Sequence, residues 1–137
     1  AGIRVGYGIG SQNMALVLNK LNMPWNVNIL AQYAGVAALD HAETNLDKTN
    51  KTIEREAKYL KGCISNLPGF SYYDSSTNFI LVKTKKDSRL IQKKLLKKKI
   101  LIRDCSTIKG LDNHHIRIAV RTRKDNQQLV KELARLN

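Results

Sequence analysis

Apolar residues recur along the chain with two spacings, which predict a mixture of helices and strands. Steps of three or four residues from Leu46 to Ile64 predict a long helix over about 45–67, which Pro68 and Gly69 end. Alternating apolar residues predict short strands. In chain order, we predict a strand over 1–10, helices over 11–23 and 26–42, the long helix, strands over 70–74 and 78–84, a helix over 88–98, strands over 100–104 and 115–121, and a helix over 124–136. The expected fold class is therefore α+β, with a small sheet covered on one side by helices.

The first predicted strand, residues 1–10, differs from the others because it has no sequential strand partner. It also begins without a cap or a turn. Consecutive elements of a domain are usually neighbours in space. We therefore expect that the chain is truncated at its start.

Composition favours a globular protein with one real core. The chain has 137 residues, of which 42% are hydrophobic and 26% are charged. It contains no apolar run of about 18 residues and no basic-then-apolar leader. These features argue against disorder, a membrane partner and secretion, and we expect a cytoplasmic protein.

Cysteine and histidine spacing argues against a metal site and against a disulfide framework. Cys63 and Cys105 lie far apart and have no CxxC partner. His114 and His115 are adjacent, so on a strand they would face opposite ways and could not share one metal ion. We predict no metal site and assign the two histidines no chemistry.

Positive charge dominates the composition, with 24 Lys and Arg against 11 Asp and Glu and a net charge of +13. The densest part is LIQKKLLKKKIL at 90–101, where helical spacing lets the leucines and isoleucine share one face while most lysines point to water. The run has no aromatic residues of the kind on which single-stranded bases stack. We favour a solvated helix face and do not expect nucleic acid as a partner. A basic, non-catalytic nucleic-acid-binding or effector domain is the competing class.

Arg103 and Arg117 interrupt two short β-branched runs, ILIRDC and HHIRIAVRT, fourteen residues apart. Strands in such runs normally place apolar side chains at alternate positions. A guanidinium offers a rigid fork of donors that matches a carboxylate or a phosphate. The pair therefore suggests a small dianionic ligand. The alternative is that both arginines end on an exposed sheet face and pair with surface carboxylates, and spacing leaves both open.

Several segments resemble the fold-type-I pyridoxal-phosphate enzymes of the aminotransferase superfamily. AGIRVGY at 1–7 resembles the segment that follows the catalytic lysine in these enzymes. MPWNVN at 23–28, STNFILV at 76–82 and the stretch over 92–130 look like the branch of threonine-phosphate decarboxylases and histidinol-phosphate aminotransferases. The resemblance covers essentially the whole chain.

This resemblance implies a homodimeric enzyme that uses pyridoxal 5'-phosphate. The implied reaction is decarboxylation of L-threonine O-3-phosphate to (R)-1-aminopropan-2-yl phosphate in cobalamin biosynthesis, and transamination of histidinol phosphate is the alternative. Arg4 would contact the cofactor phosphate, and Arg103 and Arg117 would bind the phosphorylated amino-acid substrate. The Schiff-base lysine of the family lies upstream of the position that Arg4 matches. We therefore expect no catalytic residue in this chain and no activity from it alone.

The resemblance also implies a division of the chain into two parts. Residues 1–42 would be a remnant of the large cofactor-binding domain with the start of the connector, and residues 43–137 would be the C-terminal small domain with its long connecting helix. Asn26 and Asn28 lie at a helix start, where a side-chain oxygen can cap free backbone donors. We expect them to cap, and contact with a neighbouring subunit is the alternative.

Overall fold

The computed structural model describes residues 2–136. Its helices are α1 (Gln12–Leu21), α2 (Ile29–Asp40), α3 (Ala42–Ser65), α4 (Ser88–Leu96) and α5 (Arg123–Ala134). Its strands are β1 (Phe70–Tyr72), β2 (Phe79–Thr84), β3 (Arg103–Asp104) and β4 (His115–Ala119). This mixture of helices with one small sheet confirms the predicted α+β class.

The sheet is antiparallel and has the strand order β1-β2-β4-β3. Its central pair places Ile80 of β2 opposite Ile118 of β4, and Val82 opposite Ile116. All four side chains are buried. They share a core cluster with residues of α3, α4 and α5, namely Leu60, Ile64, Ile91, Leu95, Leu129 and Leu133. Helices therefore cover one face of the sheet, as predicted.

Four helices begin after a residue whose side chain accepts a hydrogen bond from a free backbone N–H of the first turn. These residues are Ser11 for α1, Asn28 for α2, Asp87 for α4 and Thr122 for α5. The predicted caps at Ser11 and Asn28 are confirmed. The capping prediction for Asn26 is wrong, because α2 begins at Ile29 with Asn28 as its cap, and the side-chain amide of Asn26 donates to Oδ1 of Asn22.

The lysine-rich helix α4 buries a narrow stripe. Ile91 and Leu95 are buried in the core, whereas Leu90 and Leu96 are exposed at 59% and 56%. The lysines at 93, 94, 97, 98 and 99 are all exposed. The solvated lysine face is therefore confirmed, but the apolar face is narrower than the spacing predicted.

Two predicted strands differ from the structure. Residues 4–10 have no regular structure and pair with no strand among the described residues. A strand needs a partner for its backbone N–H and C=O groups, so apolar alternation alone does not make one here. The strand predicted over 100–104 is shortened to Arg103–Asp104. Lys99 adopts a left-handed φ of 60°, and the N–H of Ile100 donates back to the carbonyl of Leu95 at 3.0 Å.

A buried carboxylate joins α3 to α5. Glu56, which is 3% exposed, accepts hydrogen bonds from Nε of Arg123 at 2.8 Å and from Nη2 at 3.2 Å. The bonds from Arg123, assisted by Arg55 and Asn126, outweigh the effect of burial and lower the pKa of Glu56 from 4.5 to about 2. The guanidinium carbon of Arg123 also lies 3.9 Å from the ring centroid of Tyr59. This ion pair fixes two of the helices behind the sheet.

Contacts divide the chain into two compact units after Asp47. The first unit contains α1 and α2, and the second contains most of α3, the sheet, α4 and α5. The assignment of residues 1–42 to a large domain and of 43–137 to a small domain stays a prediction. Within residues 2–136, no helix combines the length and apolar character needed to span a membrane.

Candidate anion-binding site

Arg103 and Arg117 lie directly opposite each other on β3 and β4. Both are exposed on the sheet face that the helices leave open, because Ile116 and Ile118, on either side of Arg117, point into the core. Within residues 2–136, no carboxylate forms an ion pair with either guanidinium. Like charges directly opposite on paired strands are destabilising. An anion between the two arginines would relieve that repulsion.

The ring of Phe79 on β2 stacks against the guanidinium of Arg117. The guanidinium carbon of Arg117 lies 4.7 Å from the centroid of the Phe79 ring, within the range of a cation–π contact. The two residues are diagonal neighbours, since Phe79 is paired with Ala119 and Arg117 with Leu81. The small Ala119 leaves room for the arginine to lie over the ring.

A cleft of about 480 Å³ opens at the two arginines. Its wall includes the stacked pair Arg117 and Phe79 and also Gln92 of α4. The complete lining is Asn78, Phe79, Gln92, Leu101, Ile102, Arg103, Arg117 and Ala119. The two guanidiniums are the charged groups of this lining, so the cleft can bind a small anion by charge-assisted hydrogen bonds.

Ile102 and Asp104, on either side of Arg103, are hydrogen-bonded to side chains of α4. Asp104 accepts a hydrogen bond from Oγ of Ser88 at 2.6 Å and two more from Ser106, from its N–H at 3.0 Å and its Oγ at 2.7 Å. Gln92 donates from Nε2 to the carbonyl oxygen of Ile102 at 2.9 Å. These bonds hold the residues on both sides of Arg103.

A hydrogen-bonded chain of three side chains lies beside the arginines. His115, two residues before Arg117 on β4, faces Oη of Tyr73 through Nε2 at 3.2 Å and Oδ1 of Asp112 through Nδ1 at 2.6 Å. Hydrogen bonds from the His114 N–H and the His115 ring hold the pKa of Asp112 below its usual value. No group of three or more metal-ligating side chains occurs within the described part of the chain.

Cys105 follows β3 and is fully buried. Burial raises the pKa of its thiol, although the positive charge of Arg117 opposes the shift. The group therefore stays protonated near neutral pH, and we assign it no nucleophilic role.

Arg4, the predicted cofactor ligand, belongs to the first compact unit. It is exposed and adopts a left-handed φ of 63°. The side-chain amide of Asn28 donates to the carbonyl oxygen of Ile3 at 3.1 Å and so holds the residue before it. A guanidinium is permanently charged and its donors match a phosphate dianion. The residue therefore fits the phosphate of pyridoxal 5'-phosphate, and its role stays a prediction.

Two features of the site were missing from the sequence prediction. Neither the stacking of Phe79 under Arg117 nor the attachment of Asp104 to Ser88 follows from local spacing, because both contacts join distant parts of the chain. The aspartate directly after Arg103 was the signal available for the second contact.

Comparison with known proteins identifies the family of this chain. Residues 1–133 match the aminotransferase class I and II family. Histidinol-phosphate aminotransferase 2 of Carboxydothermus hydrogenoformans is 41% identical over 97% of the chain, and the chain spans 36% of the length of that relative.

Solved structures show the same fold. L-threonine-O-3-phosphate decarboxylase from Porphyromonas gingivalis has a TM-score of 0.82 and 28% identity, covering 98% of this chain and 42% of its own. Histidinol-phosphate aminotransferase from Sinorhizobium meliloti, in complex with pyridoxal-5'-phosphate, has a TM-score of 0.76 and 22% identity, covering 90% of this chain and 34% of its own. The chain belongs to the aminotransferase class I and II family.

Proposed function

We propose that this chain supplies the substrate-anion site of a pyridoxal-phosphate-dependent enzyme that decarboxylates L-threonine O-3-phosphate to (R)-1-aminopropan-2-yl phosphate. The observation that carries the proposal is the direct opposition of Arg103 and Arg117 on the open face of the sheet. The substrate has two anionic groups, a carboxylate and a phosphate. Two arginine forks on adjacent strands can bind such a molecule at both groups, or its phosphate alone.

The work of these arginines would be orientation. Pyridoxal phosphate supplies the electron sink, and the protein determines which bond to the α-carbon breaks by setting that bond perpendicular to the ring. Binding energy gained at a distal phosphate can be used to orient the reacting carbon. Arg103 and Arg117 would use the anionic end of the substrate to turn its carboxylate out of the ring plane.

Transamination of histidinol phosphate is the second candidate. It is favoured by the 41% identity to a histidinol-phosphate aminotransferase over 97% of the chain. Both substrates carry a phosphate that the arginine pair could bind. Assays of the complete enzyme that contains this chain would separate the reactions. Release of CO2 from L-threonine O-3-phosphate without consumption of 2-oxoglutarate supports decarboxylation. Consumption of 2-oxoglutarate with histidinol phosphate, without release of CO2 from L-threonine O-3-phosphate, supports transamination.

Arg4 would hold the cofactor phosphate. In the complete enzyme, Arg4→Ala should weaken binding of pyridoxal phosphate, because it removes a fixed charge from a phosphate dianion. Equilibrium dialysis of the cofactor measures this directly, and Arg4→Lys is the control that retains charge but loses the fork. Unchanged affinity in Arg4→Ala would remove Arg4 from the cofactor site.

We further propose that the complete enzyme is a cytoplasmic homodimer of cobalamin biosynthesis. Sedimentation of the complete enzyme tests its dimeric state. The competing class, a nucleic-acid-binding domain, predicts retention of this chain on a DNA column with a steep dependence of affinity on salt. Absence of binding to the column at moderate salt would remove that alternative.

A further inference from the structure

Arg103 occupies an exceptionally short strand. β3 has two residues and a single neighbouring strand, β4. Residues 100–102, between the left-handed turn at Lys99 and β3, are not part of the sheet. So few ladder bonds are weak support for an exposed side chain that must face another positive charge.

Asp104 attaches this strand to α4. Its carboxylate accepts from Ser88, which is fully buried as the first residue of the helix, and from the N–H and Oγ of Ser106. Burial opposes ionisation of Asp104, but these hydrogen bonds outweigh it and keep its pKa below the usual value. The carboxylate is therefore charged near neutral pH, where it accepts these three hydrogen bonds and lies 3.8 Å from Nε of Arg89.

Asp104 and Arg103 point to opposite sides of β3, as neighbours on a strand do. Gln92 holds the other neighbour of Arg103 through the carbonyl oxygen of Ile102. The arginine thus lies between two attachments to one helix, and its side chain projects away from that of Asp104. We infer that Asp104 is a positioning residue that keeps Arg103 in register with Arg117 for anion binding, an inference that rests on the proposed function.

A purely electrostatic role and a positioning role of Asp104 predict opposite changes in anion affinity when the residue is replaced. Removing a carboxylate near a cationic site strengthens anion binding if only Coulomb attraction matters. Removing the anchor of β3 weakens it, because a misplaced donor loses much of its value. The sign of the change therefore separates positioning from electrostatics.

The test is titration of the folded chain with inorganic phosphate at constant ionic strength, followed through the arginine Nε–H resonances. We expect Asp104→Ala to bind phosphate about tenfold more weakly than the wild type. Asp104→Asn, which loses the charge but keeps the shape and an acceptor, should bind at least as tightly as the wild type. Asp74→Ala is the charge-matched control, because Asp74 is 93% exposed and bonds to Lys61.

A second measurement reports on the strand itself. The N–H of Cys105 donates to the carbonyl of His115 at 3.0 Å, so its hydrogen exchange should accelerate in Asp104→Ala. If that variant does not fold, Ser106→Ala removes one donor to Asp104 and should weaken phosphate binding in the same direction.

The outcomes distinguish this inference from the function on which it rests. Weaker binding in Arg103→Ala together with unchanged or tighter binding in Asp104→Ala would overturn the positioning role alone. Wild-type affinity in both variants, or no phosphate binding by the wild-type chain, would overturn the anion site and the inference together.

Discussion

The guanidinium of Arg117 lies over the face of Phe79, 4.7 Å from the ring centroid. The stack joins the two central strands on the open side of the sheet, where Ala119 opposite Phe79 adds little bulk. An arginine on an exposed strand would otherwise sample many rotamers. Ordering it on ligand binding would then cost conformational entropy. The ring therefore restricts the Arg117 side chain, which would favour binding at the proposed anion site.

Replacing that ring should weaken anion binding without unfolding the protein. We expect Phe79→Leu to lower affinity for phosphate by about 0.5–1 kcal/mol, the size of an exposed cation–π contact. Phe79→Tyr, which keeps an aromatic face, is the matched control. Phosphate titrations measure the affinity of both variants, and urea unfolding measures their stability. Equal phosphate affinities in Phe79→Leu and the wild type would contradict a role for the ring.

The arginine pair should matter chiefly for use of the phosphorylated substrate. In the complete enzyme, Arg103→Ala and Arg117→Ala should each lose about 1.5–3 kcal/mol of transition-state binding, because each removes charge-assisted hydrogen bonds. The measurement is kcat/KM for the phosphorylated substrate. Arg121→Ala is a suitable control, because Arg121 is paired with Asp125. Wild-type kinetics in both site variants would make the pair structural.

Stability should depend on Glu56 in acid. Its pKa in the folded protein is lowered from 4.5 to about 2, chiefly by hydrogen bonds from Arg123. The stabilisation is therefore fully present above the unfolded value and is lost as the pH falls from about 4.5 towards 2. Urea unfolding across this range should show a steeper loss in the wild type than in Glu56→Gln.

The matched control is Glu54→Gln, since Glu54 is an exposed glutamate of the same helix. Its unfolding free energy should follow the wild-type curve. Parallel curves for the wild type and Glu56→Gln would instead show that the bond to Arg123 contributes nothing to the acid response.

The central strands should carry much of the stability of the second unit. Ile118 is 1% exposed and packs in the cluster between the sheet and the helices. We expect Ile118→Ala to cost about 2–5 kcal/mol and Ile118→Val about 0.5–1.5 kcal/mol, because the larger deletion leaves a cavity. Chemical unfolding measures the stability of both variants. A small loss of stability in Ile118→Ala would mean that the surrounding side chains move to fill the cavity.

Local pattern was enough to predict most helices and the central strands. The cap at Ser11, the long helix ended by Pro68 and the burial of Ile116 and Ile118 all depend on neighbours in sequence or on a period of two or 3.6 residues. The placement of Arg103 and Arg117 in strands followed from the same periodicity.

Other features depend on contacts that no local pattern contains. The alternation over residues 1–10 predicted a strand, but without a partner among the described residues it forms none. The bond between Glu56 and Arg123 joins positions 67 residues apart, and the bond between Ser88 and Asp104 joins positions 16 residues apart. Long-range contacts therefore provide the support of the site and the link between α3 and α5.

The brevity of the outer strands has a consequence for self-association. An edge strand presents unpaired N–H and C=O groups that can template pairing with another chain, and short edges limit this hazard. Here the two edges are β1, with three residues, and β3, with two. The strands with the longest ladder, β2 and β4, are both interior. The shortness of β1 and β3 therefore limits edge-to-edge pairing of this sheet with another chain.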